Sequence, residues 1–374
     1  MILHLVSDHV ATNSCLKIFK DELPNQNIIL VFKRFGYQVD GGIVVNNDTI
    51  GQVVNNIDFS SINCVVVSFL TKNKIDFIKK YVPADIPLIW WTYGADFYAR
   101  FLEIRGYSVF YSDPDRFSSM GIIKWLFLRL LRPFRNNFYC NIQNKYIIPR
   151  LTGFVPCVKP EYDLLCRYIN KKIDLIQIHT YGASFKFDGR FSLGNDIALG
   201  HSASISDNHL YALEYLKQFD LGKSDLYITL SYSNKLPKYT ARVKYEFEKI
   251  YGKRVHFIMN MLPKEEYFES QFRYKAMILP SWRQEALDNI YTCLQIGIKL
   301  ILSERSILYK YLKDYGFYVF SLEQLNQNDL ETPLEEEKKK SNQQLFEKFI
   351  SERKRNFYSD FDLYFKNRLL NEHK

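Results

Sequence analysis

Two carboxylates come first because of where they fall. Asp8 belongs to the triplet Ser7, Asp8, His9 after the opening apolar run, and Asp96 lies in 93–98 (YGADFY) after a second run. A carboxylate just past the carboxyl end of a strand can take a proton from a bound hydroxyl, which makes Asp96 and Asp8 the candidate general bases. Either could equally cap the helix that follows it. A second constellation is 199–209 (LGHSASISDNH), where Gly200, His201 and Ser202 end a strand and Asp207 is placed to cap the next helix. A loop of small residues running into a helix N-terminus offers free amides and a favourable dipole to a phosphate, as a nucleoside diphosphate requires. Neither of the familiar glycine-rich phosphate motifs is present, so an ordinary strand-to-helix turn has the same appearance. Ser231 and Tyr232 close the next strand in the same way. In 279–289 (LPSWRQEALDN), Arg283 can neutralise phosphate, Gln284 adjoins it, and Glu285 can accept hydrogen bonds from ribose or serve as a first-turn capping carboxylate.

A third feature is a run of charge of one sign. Arg116, Lys124, Arg129, Arg132, Arg135, Lys145 and Arg150 fall in 116–150, and that segment holds no Asp or Glu. Within it, 121–134 (GIIKWLFLRLLRPF) puts Ile122, Ile123, Leu126, Phe127, Leu130 and Leu131 on one broad helical stripe, with Trp125 near its edge. Lys124, Trp125, Arg129, Arg132 and Arg135 then describe a helix suited to an anionic membrane interface. A core-facing helix with a basic solvent face has the same pattern. Nucleic acid is not the expected partner, because the basic residues alternate with aliphatics instead of stacking aromatics.

The elements that must position these residues follow from the apolar runs. Strands are expected at 2–6, 28–32, 63–69, 87–92, 196–199, 226–230, 255–259, 276–279 and 300–303. Helices are expected at 14–23, 207–219, 240–251, from 263 and at 284–296. Strands that are apolar throughout are covered on both faces, so the sheets should be parallel. A length of 374 residues with 47% hydrophobic and 24% charged residues fits two folded α/β domains and excludes a disordered chain. The boundary is expected near 182–194, with a charged amphipathic arm after 335. Fifty Lys and Arg against 41 Asp and Glu leave a net charge of +9, which admits an anionic partner without choosing one. The six cysteines form no C-x-x-C pair, the first residues lack a signal-peptide pattern, and no stretch of 18 apolar residues is free of charge. The expectation is a reduced chain on the cytoplasmic side, with no metal site and no cofactor.

At these residues the sequence resembles glycosyltransferase family 56, the TDP-N-acetylfucosamine:lipid II N-acetylfucosaminyltransferases, also named 4-α-L-fucosyltransferases. The resemblance rests on the Ser7-Asp8 turn, on 90–98 against the family's W-x-x-W-G-A-D-x-Y, on the basic apolar helix, on 200–209 against G-N-S-G-x-x-S-N-x-H, and on Arg283-Gln284. It implies a GT-B fold, two Rossmann-like doubly wound domains facing a cleft. The acceptor-side domain would span 1–185, the nucleotide-sugar domain 186–330, and 331–374 would be a helical arm packing back on the first domain. It also implies a metal-independent hexosyltransferase that moves a deoxysugar from a dTDP- or GDP-sugar to a polyprenyl-diphosphate-linked saccharide. The setting would be lipopolysaccharide or O-antigen synthesis at the cytoplasmic face of the bacterial inner membrane, with the enzyme peripheral to it. No D-x-D follows a strand end, so Arg283, loop amides and helix N-termini would neutralise the leaving diphosphate. His201 replaces the family's Asn, and Ala286 and Asp288 replace its glycines, which leaves base and sugar open. The alternatives are a GT-B enzyme with a soluble acceptor and a non-catalytic membrane or nucleic-acid binding protein on the same fold.

Overall fold

A computed structural model describes residues 1–9, 11–112, 122–177, 185–232 and 236–367, with only the backbone for 122–125 and 128. The chain divides into two compact units. The first is Met1–Tyr107, Leu131–Thr180 and Glu352–Lys374; the second is Ser108–Leu130 and Tyr181–Ser351. Of the boundary segment read from the sequence, Gly182 lies outside the described residues.

The first unit holds seven strands: β1 (Ile2–Ser7), β2 (Asn27–Phe32), β3 (Ile43–Val44), β4 (Cys64–Ser68), β5 (Leu88–Trp91), β6 (Leu151–Val155) and β7 (Asp174–Leu175). They form one parallel sheet in the order β3-β2-β1-β4-β5-β6-β7. Every residue of β1, β4 and β5 is buried, as continuous apolar runs such as CVVVS demand. The helices are α1 (Thr12–Glu22), α2 (Ile50–Asn55), α3 (Lys72–Tyr81), α4 (Ala95–Phe97), α5 (Ile122–Tyr146), which begins in the second unit, and α6 (Lys159–Ile169). Helix α1 buries Cys15, Leu16 and Phe19 on one face.

The second unit repeats the plan with β8 (Asp196–Leu199), β9 (Leu226–Thr229), β10 (Val255–Ile258), β11 (Tyr274–Leu279), β12 (Lys299–Leu302) and β13 (Phe320–Ser321). Their order is β10-β9-β8-β11-β12-β13, again parallel throughout. The helices are α7 (His209–Leu216), α8 (Pro237–Tyr251), α9 (Lys264–Gln271), α10 (Leu287–Ile296), α11 (Ile307–Tyr315), α12 (Gln327–Glu331) and α13 (Glu336–Phe361). Ile197, Leu199, Ile228, Ile278 and Ile301 form the centre of its core. The last part of α13 returns the chain to the first unit, where Phe361 and Phe365 pack edge-on against Phe19 at 5.2 and 4.9 Å.

Both sheets reverse direction beside their first strand, between β1 and β4 and between β8 and β11. Such a switch point leaves a crevice past the carboxyl ends of two strands, where α/β sheets take their ligands. In the second unit those ends carry Gly200 to Ser202 and the 280–285 loop.

The sequence reading has no counterpart for β3, β6, β7 and β13. Three of these are two-residue edge strands, too short for a periodic signal. The fourth, LTGFV, is interrupted by Gly153, where a Cβ would come within 2.9 Å of Ile176 and of the Tyr364 hydroxyl.

Candidate functional site

The loop after β8 folds around one carboxylate. Asp207 lies in a short 3₁₀ turn, Ile205–Asp207, and its Oδ2 accepts the backbone N–H of His201 at 2.7 Å and of Ser202 at 2.8 Å. Its Oδ1 lies 3.1 Å from His201 Nδ1. Asp207 therefore does not cap the following helix, which begins at His209 after Asn208 in the left-handed region at φ 53°. Gly200 makes the fold possible: it has φ +70°, and a Cβ there would sit 2.5 Å from His209 Nε2 and 2.9 Å from Asp207 Oδ2.

This arrangement corrects the expected role of the loop amides. The N–H groups of Gly200, His201, Ser202, Ala203 and Ser204 bond to Ile278 O, Asp207, Asp207, Tyr232 O and Ser202 Oγ respectively. All five are spent inside the protein, so a phosphate here must be met by side chains. His201 stands at this loop, with its Nδ1 facing Asp207 and its Nε2 3.9 Å from Glu285 Oε2. Ser202 is buried and Ser231 half-buried, and Tyr232, whose carbonyl accepts from Ala203, leaves its ring exposed.

The loop after β11 supplies the facing charges. Glu285 Oε2 accepts from Arg283 Nε at 2.8 Å and Nη2 at 2.6 Å, while Oε1 accepts from the Ser281 hydroxyl. Arg283 is thus held in an ion pair, and Glu285 is a fixed acceptor instead of a helix cap; the helix starts at Leu287, not at 284. Gln284 is half-buried beside them. Trp282 is buried, its Nε1 has no hydrogen-bond acceptor among the described residues, and the Arg305 guanidinium covers its ring at 4.2 Å.

The protonation states follow from this geometry. Burial disfavours a charged His201, but the charge and hydrogen bond of Asp207, with Glu285 behind, outweigh it and raise the pKa, Arg283 opposing. Burial would raise Asp207, yet His201, His209 and the His201 amide hold it well below its ordinary value. His209 is shifted down, chiefly by burial. His201, Asp207 and Glu285 each offer one ligand atom within 4.8 Å of the others, so they could hold a cation. Arg283 already places positive charge on Glu285, which disfavours a metal ion there.

In the first unit both proposed bases are withdrawn from that role. Asp96 is fully buried: Oδ1 accepts from Thr92 Oγ1 (2.8 Å) and Tyr93 N (2.9 Å), and Oδ2 from Leu70 N and Trp90 Nε1, each at 2.8 Å. Asp8 is buried and accepts the amides of Arg34, Phe35 (2.8 Å) and Gly36 (2.7 Å). Burial pushes its pKa up, and those amides together bring it below the ordinary value. Both carboxylates tie loops together at the carboxyl edge: each Asp96 oxygen accepts two hydrogen bonds, while Asp8 Oδ1 accepts from Arg34 and Phe35 and Oδ2 from Gly36. Ser7 receives the buried Lys74 ammonium at 2.8 Å.

On α5, Leu130, Phe134 and Phe127 are 71%, 76% and 60% exposed, and Leu126, Leu131 and Phe138 are exposed with them. Arg129 and Arg135 lie on the same solvent-facing stretch, whereas Arg132 pairs with Glu103 from outside the basic segment. The side chains of Lys124 and Trp125 lie outside the described residues. No helix among the described residues is long and apolar enough to cross a membrane.

Asp207, read from the sequence only as a helix cap, and Arg305 are the residues to which the sequence reading gives no part in the site. The spacing His201, Asp207, His209 marks the first, and position just past β12 marks the second.

No family model matches the chain, and no curated protein matches it by sequence. Solved structures do. WaaG, a glycosyltransferase involved in lipopolysaccharide biosynthesis, aligns at 10% identity with a TM-score of 0.55, covering 94% of this chain and 95% of its own. The α,α-trehalose 6-phosphate synthase of Burkholderia multivorans aligns at 10% identity and TM-score 0.57, covering 99% and 96%. Anabaena Alr3699/HepE, solved with UDP and glucose, gives 10% identity and TM-score 0.56 over 94% and 95%. At this identity the likeness establishes the fold, and the chain has the two-domain, Rossmann-like GT-B fold.

Proposed function

We propose that the protein is a GT-B glycosyltransferase of cell-surface polysaccharide synthesis that takes its sugar from a nucleoside diphosphate held by the second unit. The observation that carries this reading is the convergence of His201, Asp207, Arg283 and Glu285 at the switch point between β8 and β11. Cationic side chains, a fixed acceptor for hydroxyls and a buried indole donor are groups a nucleotide sugar uses. The likeness to WaaG and HepE supports the reaction class. The short motifs shared with the N-acetylfucosaminyltransferases favour a dTDP- or GDP-deoxysugar as donor.

The acceptor in this reading is a polyprenyl-diphosphate-linked saccharide, reached from the cytoplasmic face of a bacterial inner membrane. The exposed apolar stripe of α5 supports it, since Phe127, Leu130 and Phe134 in water are costly unless something apolar covers them. Arg129 and Arg135 add attraction to anionic lipid at about 1 kcal/mol each. Replacing Leu130 and Phe134 by Ser should abolish sedimentation with anionic vesicles while leaving the fold intact.

The direct test is release of nucleoside diphosphate from a panel of nucleotide sugars, with and without a lipid-linked saccharide. Acceptor-dependent release from one donor is expected. No release from any donor, with no binding of the free nucleoside diphosphates, would refute the enzyme and leave a non-catalytic binding protein.

A further inference from the structure

We infer that Arg305 is the cation that receives the diphosphate of the nucleotide donor, with Trp282 as the platform that holds its guanidinium in place, a role expected from the sequence for Arg283. The inference rests on the donor-site reading and goes beyond it in assigning the phosphate contact to one side chain.

The other cations beside the switch point are already engaged. The loops past the carboxyl ends of β8, β11 and β12 carry three basic side chains, His201, Arg283 and Arg305. Arg283 gives Nε and Nη2 to Glu285 Oε2, and His201 lies between Asp207 and Glu285. Arg305 is exposed, and its side chain makes no ion pair and no hydrogen bond among the described residues. The carboxylates of its own neighbourhood are occupied elsewhere: Glu304 accepts from Gln324, and Glu323 accepts from the Ser303 and Tyr211 hydroxyls and from the Glu304 N–H. The charge of Arg305 and its fork of N–H donors are therefore unspent.

The indole beneath it makes that charge a fixed one. The Arg305 guanidinium lies 4.2 Å from the centre of the Trp282 ring, and the indole is 5% exposed. Tyr211 braces the same ring edge-on, with ring centres 5.1 Å apart and the planes at 89°. A guanidinium stacked on a buried ring has lost rotamer freedom before any ligand arrives, so less is lost on binding. Its planar fork meets two phosphate oxygens at once, which a lysine cannot do. Trp282 adds a second sign of a missing acceptor, since its Nε1 is buried without one among the described residues. A buried N–H left unpaired is costly, and an oxygen-rich ligand supplies what this loop lacks.

The test is calorimetry of UDP, dTDP and GDP with the full-length protein, thermal unfolding being run on each variant to confirm that it folds. The nucleotide that binds wild type most tightly should bind Arg305→Gln about 10- to 100-fold more weakly, the loss expected for charge-assisted hydrogen bonds. Arg305→Lys should recover part of that loss, because it restores the charge without the fork. Trp282→Leu should weaken binding in the wild-type background yet add little in Arg305→Gln, since the ring acts through the guanidinium. Unchanged affinity in Arg305→Gln, an Arg305→Lys variant no better than Arg305→Gln, or a Trp282→Leu loss of equal size in both backgrounds would each overturn the inference and leave the donor-site reading standing. Failure of all three nucleotides to bind wild-type protein would overturn the donor-site reading and the inference with it.

Discussion

Asp207 Oδ1 lies 3.1 Å from His201 Nδ1 while its Oδ2 takes the backbone N–H of the same histidine at 2.7 Å. One carboxylate therefore fixes both the loop and the ring. The cost is that the loop amides are lost as phosphate ligands, so a phosphate bound at this loop would have to be met by side chains.

Gly200 sets the limit on that loop. Gly200→Ala would force a Cβ within 2.5 Å of His209 Nε2 at a φ of +70°. Strain and overpacking together should cost about 2 to 4 kcal/mol, read by denaturant unfolding. Unchanged stability would mean that His209 and Asp207 are not packed against this backbone.

Asp96→Asn should fail chiefly in folding. Each carboxylate oxygen accepts two hydrogen bonds, so any amide rotamer turns its NH₂ towards two donors. A loss of about 3 to 5 kcal/mol is expected by analogy with a broken buried polar cluster. A variant that unfolds like wild type yet transfers no sugar would restore Asp96 as the base.

Glu161, fully buried in α6, accepts Cys157 N and Val158 N, yet burial pushes its pKa from 4.5 up to about 8. Because the folded pKa is raised, the stabilising neutral form is fully present below the unfolded value and is lost as pH rises to about 8. Glu161→Gln should match wild type below the unfolded value, at about pH 4, and become the more stable protein towards pH 8, by at most about 1.4 kcal/mol per pH unit over that window. A difference that does not vary with pH would contradict the burial argument.

Ala286 occupies the left-handed region at φ 61°, just before α10. Glycine adopts that conformation without a Cβ clash, so Ala286→Gly should stabilise by up to about 1 kcal/mol despite its more flexible unfolded chain. A fall in the denaturation midpoint would show that Ala286 is held by contacts outweighing the strain.

Strand positions were legible because continuous runs such as ILHLVS and CVVVS can only be doubly covered strands, and they fix where the switch-point loops fall. Side-chain direction within those loops was not. Whether Asp8, Asp96 and Asp207 face a ligand or their own loop depends on backbone amides brought together by tertiary folding, such as those at 34–36 for Asp8. Residue type alone gives the same pattern in both cases. The partial neutralisation of the basic segment was hidden likewise, because Glu103, which pairs with Arg132, lies outside it.

The central claim is that a nucleoside diphosphate binds the second unit at the β8/β11 switch point. The most direct measurement is titration of histidine-labelled full-length protein with UDP, dTDP and GDP while the ring resonances are observed. At least one nucleotide should shift His201 and His209 and leave His4, in β1, and His9, just after it, unmoved. Saturable binding that moves only His4 or His9, or no binding by any of the three, would contradict it.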